Sequence, residues 1–320
     1  MKALVTGATG VVGGAVLRHL IQSGHTLRAL VRPGRELPFG VEAVVGDVLD
    51  YESLLRACTD VEVVFHVAGI NRMCDPDPTE MFRVNVDGTR NVIRACRVTG
   101  VRRMVHTSSA ATIGEPQGSV GSEETIHRGG FHSNYERSKY EAEQVVVAEG
   151  VELDVVIVNP SSVQGPGRAT GTGKLILDVV NGRLPFLVDT RLSIVDIDDC
   201  ARGHLLAAEK GRKGRRYLLN SFSITINEAL SLLAAATGRR LNVRYLPGPL
   251  VAAAAGLIWL PFRLSGRSAR VCPEMVQTLR HGHTYDGSRA TNELGLVYTS
   301  AADTLRRLVE WAAGEGLLVR

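Results

Sequence analysis

The 320-residue sequence predicts an α/β protein built on a doubly wound parallel β-sheet, with a smaller, mainly helical lobe toward the C-terminus. Two observations support this. The first half of the chain alternates short apolar segments with segments of helical period. A glycine-rich turn, TGATGVVGG, directly follows the first apolar segment. Both features are typical of a sheet whose two faces are covered by helices.

The predicted elements follow one another along the chain. Apolar runs indicate strands from residue 3 and then at 27–32, 42–47, 61–69, 102–109 and 153–160. Helical spacing indicates a helix behind the glycine turn and others over 51–57, 81–100 and 134–149. After Pro160 we expect a turn-rich stretch, a helix at 175–182, a strand at 192–195 and then mostly helices. We assign 1–160 plus about 191–222 to a nucleotide-binding domain, and about 161–190 plus 223–320 to a substrate-binding lobe.

The glycine turn predicts a dinucleotide-binding site. Gly7, Gly10 and Gly13 stand three residues apart between a strand and a helix. Their expected roles are a tight turn, a close approach of the backbone to a pyrophosphate, and close packing of helix on strand. The amino end of the helix then faces the phosphates. A purely structural turn is the alternative.

The residues after the second strand favour NADP(H) over NAD(H). An acidic side chain at this position normally accepts the ribose 2′-hydroxyl, whereas arginine suits a 2′-phosphate. Here Arg32 ends the strand, Arg28 and Arg35 are close by, and the first acid is Glu36. Ordinary surface arginines are the alternative, and NAD(H) stays possible.

A tyrosine and a lysine are predicted to form the catalytic centre. Tyr135 and Lys139 are four residues apart and would share one face of a helix. An ammonium beside a phenol favours the phenolate, which suits the phenol to acid-base catalysis. Ser109, at the end of a strand, could hydrogen-bond the reacting oxygen, with Ser108 and Thr112 as competitors.

Eight motifs together resemble the extended short-chain dehydrogenase/reductases, also described as NAD-dependent epimerase/dehydratases. The resemblance covers residues 1 to about 235 and implies a Rossmann fold. It rests on TGATGVVG, GDV at 46–48, HVAG at 66–69, NVDGTRN at 85–91, TSSAATIG at 107–114, Tyr135-x-x-x-Lys139, VNPSSVQGPG at 158–167 and VDIDD at 195–199. Within the family, the chain looks most similar to dihydroflavonol-reductase-like proteins and hopanoid-associated sugar epimerases.

The resemblance also implies roles for individual residues and a possible homodimer formed through the helix that carries Tyr135. Cofactor contacts are implied for the phosphate loop, the adenine side, the loop after the fourth strand and the nicotinamide side. The residues are Thr9, Val11, Val12, Asp47, Val48, Val67, Ala68, Gly69, Thr107, Asn159, Pro160 and Ser162. Asn85 is expected to serve the fold.

Composition excludes several other classes of protein. The net charge is only +4, and we interpret the basic run at 210–216 as a solvated loop, with no nucleic-acid partner. The five cysteines are odd in number and far apart, which favours unpaired thiols in a reduced, cytoplasmic compartment. Because a strand is expected from residue 3, we expect no signal peptide before it. The apolar run Leu250–Phe262 is too short for a stable membrane span. We interpret it as a buried or substrate-facing helix, with membrane-surface contact as the alternative.

Two further motifs are set aside. GRATGTGK departs from a phosphate-binding P-loop at its first glycine and after its lysine, so it is interpreted as a loop over the active site. His281 and His283 lack a third ligand in the nearby sequence, so we expect a solvated loop and no metal.

The leading functional hypothesis is an NADP(H)-dependent carbonyl reductase or alcohol dehydrogenase using Ser109, Tyr135 and Lys139. The alternatives are an NAD-dependent sugar-nucleotide epimerase or dehydratase and, from another class, a nucleotide-sensing regulator without turnover. The small-molecule pocket is expected from residues 70–81, 114–134, 164–190 and 247–283. The many apolar residues in these segments, above all in Leu250–Phe262, suggest a hydrophobic alcohol or ketone as substrate.

Overall fold

The computed structural model describes residues 1–267, 269 and 271–319. Its centre is a seven-stranded, fully parallel sheet of order β10-β6-β5-β4-β1-β2-β3. These strands are β1 (Lys2–Thr6), β2 (Thr26–Val31), β3 (Val41–Val45), β4 (Val63–His66), β5 (Arg103–Thr107), β6 (Asp154–Pro160) and β10 (Arg216–Leu219). The predicted doubly wound Rossmann sheet is confirmed.

Helices cover both faces of the sheet because its strands are apolar on both sides. One core lies where α1 (Val11–Gln22) and α7 (Ile197–Lys210) pack together over Val5 and Val158. The other lies beneath α2 (Tyr51–Cys58), α4 (Gly88–Thr99) and α5 (Asn134–Glu149), over residues such as Leu4 and Met104. The helix α3 (Thr79–Phe82) runs into α4 through a π-helical turn at Arg83–Asp87.

The C-terminal half adds two small sheets and further helices. A three-stranded sheet has the order β11-β9-β7, and a two-stranded sheet pairs β12 with β8. The strands are β7 (Ser162–Gln164), β8 (Phe186–Leu187), β9 (Arg191–Asp196), β11 (Phe222–Thr225) and β12 (Arg244–Tyr245). The helices are α6 (Thr172–Val180), α8 (Ile226–Thr237), α9 (Gly248–Leu264), α10 (Pro273–His281) and α11 (Ala301–Gly314). A separate apolar core joins α6, α8 and α11.

The segment 191–222 contributes to both halves of the molecule. Its last strand, β10, is an edge of the main sheet, and α7 packs on α1. Its first strand, β9, belongs to the three-stranded sheet. The proposed division into a nucleotide-binding domain and a substrate-binding lobe therefore stays a prediction.

A disulfide joins Cys74, in the loop after β4, to Cys272 at the start of α10. The prediction that all the cysteines are unpaired is wrong for these two, whose sequence separation of 198 residues hid their proximity. The free thiols of Cys58, Cys96 and Cys200 are buried.

We expect the disulfide to stabilise the fold by about 2–4 kcal/mol, because it restricts the unfolded chain across a long loop. Equilibrium denaturation with and without a reductant measures this. The wild type should unfold at lower denaturant concentration when reduced, and Cys272→Ser should be insensitive to the reductant. A wild type that unfolds identically in both conditions would contradict the assignment.

Candidate active site

The glycine turn holds the amino end of α1 against the carboxyl ends of β1 and β4. Gly7 has φ +73°, and a Cβ built there would lie 2.7 Å from the Ala68 nitrogen. A Cβ on Gly13 would lie 2.1 Å from the Gly7 carbonyl oxygen. Gly10 precedes the first residue of α1, so the free amides of that helix end are available to an anion.

One cavity of about 1610 Å³ opens at this edge of the sheet. Its lining contains nearly all the residues predicted to contact the cofactor or to act in catalysis. These are Gly7, Thr9, Gly10, Val11, Val12, Gly13, Arg32, Asp47, Val48, Val67, Ala68, Gly69, Thr107, Ser109, Tyr135, Lys139, Pro160 and Ser162. The cavity lies at the switch point between β1 and β4, where doubly wound sheets bind ligands.

Asn159 is the exception: it does not line the cavity, and its contact with the cofactor stays a prediction. Its side chain is fully buried and its amide donates to the Ser109 carbonyl at 3.2 Å and to Thr112 Oγ1 at 3.0 Å. It also donates to the Glu143 carboxylate at 3.0 Å. Asn159 therefore fixes the turn that carries Ser109 and does not face the cavity.

The arginines around β2 separate into two groups. Arg32 and Arg35 are exposed and line the cavity. Arg28 is buried, donates to the Ala57 carbonyl at 2.9 Å and pairs with Glu42 at 2.9 Å. Only Arg32 and Arg35 are thus free to meet a ribose phosphate at the end of β2, and no acidic residue replaces them there.

Ser109 is the candidate hydroxyl that acts on Tyr135. Both residues line the cavity, and the Ser109 side chain lowers the pKa of the Tyr135 phenol. Ser108 instead donates to Glu143 and is buried. Thr112 donates to the Ser109 carbonyl at 2.8 Å and is also buried. The two competing hydroxyls are therefore engaged in bonds within the protein, and Ser109 is the one that acts on the phenol.

Helix α5 brings Tyr135 and Lys139 to the cavity. The helix begins where the Ser133 hydroxyl accepts the Glu136 amide at 3.1 Å. One turn after Tyr135, the Lys139 ammonium donates to the Thr107 carbonyl at the end of β5, at 2.7 Å. Burial lowers the pKa of Lys139 to about 8. Its charge is still present at neutral pH, in the lining of the cavity.

Burial raises the pKa of Tyr135, while the Ser109 hydroxyl and the Arg168 guanidinium lower it. Arg168 is thus a cation that acts on the phenol, and the predicted lowering of this pKa by Lys139 stays a prediction. Arg168 lines the cavity, and burial lowers its own pKa. In the described part of the chain, Arg168 pairs with no carboxylate. The sequence predicts Arg168 in a loop over the active site and indicates no role for its side chain.

Two buried histidines lie behind Lys139. His66 bonds Thr6 Oγ1 at 2.9 Å and Thr89 Oγ1 at 3.0 Å, and its ring centroid is 5.5 Å from that of His106. Burial lowers the pKa of His66 to about 3 and that of His106 well below its usual range. Both rings are therefore neutral at physiological pH.

Asn85 connects the cavity wall to the catalytic helix. Its side chain accepts the Ile70 amide at 2.8 Å and donates to the Ile70 carbonyl at 3.0 Å. It also donates to Ser138 Oγ on α5 at 2.9 Å. The predicted structural role of Asn85 fits these bonds.

The substrate side of the cavity differs from the expected one. Residues from 70–73, from 168–192 and from 271–283 line it, but of the segment 114–134 only Ser133 does. None of the described residues between 247 and 270 lines the cavity.

The interpretation of Leu250–Phe262 as a buried or substrate-facing helix is wrong: in α9, only Ala255 is buried. The segment GRATGTGK does border the cavity, and part of it forms the first turn of α6.

The interpretation of His281 and His283 as a solvated loop is also wrong. His281 is buried at the end of α10, and the distant Glu115 supplies a third group. Glu115 Oε1 lies 2.7 Å from His283 Nδ1 and 3.4 Å from His281 Nε2. Burial, His283 and Arg128 lower the pKa of His281. Because a nearby guanidinium opposes a bound cation, we interpret the cluster as a structural support for the cavity wall, which His283 lines and to which Glu115 is hydrogen-bonded through His283.

The fold and the glycine turn define a class: α/β enzymes that bind a nicotinamide dinucleotide at the carboxyl edge of a parallel sheet. The chain belongs to the NAD dependent epimerase/dehydratase family, whose model matches residues 3–219. It is accordingly an NAD(P)-dependent enzyme of the oxidoreductase type. In the described residues, no helix has the length and apolar character needed to cross a membrane.

Three similar proteins illustrate the family's range. "Sterol demethylase protein B" of Methylococcus capsulatus is 35% identical, over 99% of this chain and 100% of its own. A "putative dihydroflavonol 4-reductase" of Synechocystis is 33% identical, over 98% of this chain and 94% of its own. The crystal structure of gox2253 is 33% identical, covers 99% of both chains and superposes with a TM-score of 0.85.

The buried ammonium of Lys139 should cost stability at neutral pH. Lowering its pKa from 10.5 to about 8 corresponds to about 3 kcal/mol. We therefore expect Lys139→Met to raise the free energy of unfolding at pH 7 by about 1–3 kcal/mol. Urea denaturation without cofactor measures this, with the exposed Lys174→Met as the matched control.

The pH dependence of the free energy of unfolding also tests whether the Lys139 ammonium is buried. Between pH 8 and 10.5 the unfolded wild type binds more protons than the folded protein, so its stability rises with pH across this window. Lys139→Met should lack that rise. Parallel pH profiles for the two proteins would show that the ammonium is not buried.

Proposed function

We propose that the protein is an NADP(H)-dependent carbonyl reductase or alcohol dehydrogenase. The observation that carries the proposal is the convergence of Ser109, Tyr135 and Lys139 on one cavity, with Arg32 at the far end of the same cavity. Three groups suited to moving a proton thus share a binding site with a group suited to a ribose phosphate.

The residues of the cavity suit a dinucleotide with a 2′-phosphate. The glycine turn leaves room for a pyrophosphate beside the amino end of α1, where the backbone amides attract anions. Arg32 and Arg35 supply positive charge where an acidic residue would otherwise accept a 2′-hydroxyl. Asp47 and Val48 line the part of the cavity where we expect the adenine.

When bound, the nicotinamide supplies or accepts the hydride. In the reductive direction, Tyr135 donates its phenolic proton to the substrate oxygen, and Ser109 holds that oxygen by a hydrogen bond. Arg168 stabilises the phenolate that remains, because its charge favours the ionised phenol. Lys139 adds a second positive charge and keeps α5 fixed to the end of β5.

The substrate side favours a largely apolar ketone or alcohol. Its apolar lining comes from several separate segments: Ile70, Met73, Leu184, Leu192, Val271, Met275 and Leu279. Apolar walls with a few placed polar groups suit a lipophilic small molecule. The names of two similar proteins, a sterol demethylase protein B and a putative dihydroflavonol 4-reductase, support this class.

An internal-redox epimerase or dehydratase acting on a sugar nucleotide is the second candidate. Arg168, Lys174 and Arg191 all line the cavity and could pair with a diphosphate. Lys174 already pairs with Asp178, which reduces the charge available to a ligand. Such an enzyme returns the same hydride to its substrate, so NAD that stays bound through purification, with turnover of nucleotide sugars and not of ketones, would replace the reductase proposal.

Cofactor preference provides one test. Calorimetry should show NADPH binding at least about tenfold more tightly than NADH, equal to about 1.4 kcal/mol. Arg32→Ala should remove this difference by weakening NADPH alone. The matched control is Arg18→Ala, an arginine of α1 that does not line the cavity. Equal affinities in the wild type would contradict the proposed preference.

The proposed proton transfer provides a second test. Tyr135→Phe should lower kcat for a reducible lipophilic ketone by about 10²–10⁴-fold and leave the Kd for NADPH within about twofold. Ser109→Ala should act in the same direction. Tyr140→Phe, on the same helix but packed against His127 and Phe131, is the control. Unchanged turnover in Tyr135→Phe would exclude the proposed chemistry.

A further inference from the structure

Helix α9 presents apolar side chains to its surroundings around most of its circumference. The exposed fraction is 77% for Leu257 and 80% for Leu264, and Leu250, Ile258, Leu260 and Phe262 are also exposed. Only Ala255 is buried in the whole helix. A helix that is apolar on every side is normally enclosed by protein or lipid, and the described residues of this chain do not enclose it.

The charge around α9 has one sign. Between Glu228 and Glu274 the sequence contains no acidic residue and six arginines. Of these, Arg263 and Arg267 are exposed at the carboxyl end of the helix, and the Arg263 guanidinium lies 4.9 Å from the centre of the Trp259 ring. An arginine and a tryptophan side by side, among exposed leucines, suit the boundary between lipid headgroups and acyl chains.

The apolar surface continues beyond the helix. Phe186, Tyr245 and Leu246 are exposed on the small β8-β12 sheet and on the chain that leads to α9. On its other side, α9 packs against α10, whose Met275, Thr278 and Leu279 line the substrate side of the cavity. A membrane or protein that covers α9 would therefore lie next to α10, which forms part of the cavity wall.

We propose that α9 and its flanking arginines dock on the surface of an anionic lipid bilayer, with the helix in the plane of the interface. A bilayer matches both observations: acyl chains accept the leucines, and anionic headgroups pair with arginines that have no acidic neighbour in sequence. At 17 residues the helix is short for a crossing. The inference does not depend on the proposed reaction.

Co-sedimentation with vesicles tests the docking directly. The full-length protein should bind vesicles of phosphatidylcholine with roughly 30% phosphatidylglycerol at least about tenfold more strongly than pure phosphatidylcholine vesicles. Leu257→Ser/Leu264→Ser should reduce this binding by about tenfold or more. The control is Val98→Ser/Val151→Ser, which alters two apolar residues exposed to a similar degree elsewhere. It should bind like the wild type.

The charge contribution has its own control. Arg263→Gln/Arg267→Gln should weaken binding to the anionic vesicles and reduce its salt sensitivity. Arg212→Gln/Arg215→Gln, in the other exposed basic segment, should not. Each variant is used only if its urea unfolding midpoint equals that of the wild type.

Three results would overturn the proposal. The first is no binding of the wild type to anionic vesicles. The second is an equal loss of binding in the α9 variants and their controls. The third is a dimer in sedimentation velocity that Leu257→Ser/Leu264→Ser dissociates, because α9 would then be an interface between two copies of the chain.

Discussion

The placement of one positive charge at the carboxyl edge of the sheet governs the architecture of the site. Lys139 is almost fully buried, and its ammonium donates to a single backbone carbonyl at the end of β5. The nearby ring systems of His66 and His106 are held neutral by burial. Lys139 therefore meets no repulsion from charged imidazoles at this edge, and Arg168 is a further cation close to Tyr135.

Close backbone packing is the second constraint. Gly7 lies so near the chain after β4, and Gly13 of α1 so near Gly7, that a side chain at either position would collide with the main chain. This packing brings the amino end of α1 to the same edge as Lys139. Phosphate binding and proton transfer can then occur within one cavity although their residues are more than a hundred positions apart in the sequence.

Local patterns were sufficient to predict the sheet, the glycine turn and α5, because each depends on neighbouring residues: apolar runs, a helix cap and a four-residue spacing. Long-range contacts were not predictable in this way. The burial of Arg28 depends on carbonyls near the end of α2, the cluster of Glu115 with His281 and His283 crosses more than 160 positions, and α9 has an apolar sequence typical of a core helix. Only the tertiary arrangement shows that α9 lies outside.

The hydrogen bonds of Asn85 determine which walls of the cavity can accept new side chains without disturbing the catalytic residues. Its three hydrogen bonds hold the first residue of one cavity wall, Ile70, and the catalytic helix in a fixed relation. The remaining walls, from 168–192 and 271–283, belong to other segments of the chain. New side chains in those walls can reshape what fits the cavity without disturbing the alignment of Tyr135 and Lys139. Apart from Arg168, substrate range and chemical step are thus separable, and libraries aimed at new substrates belong on the outer walls.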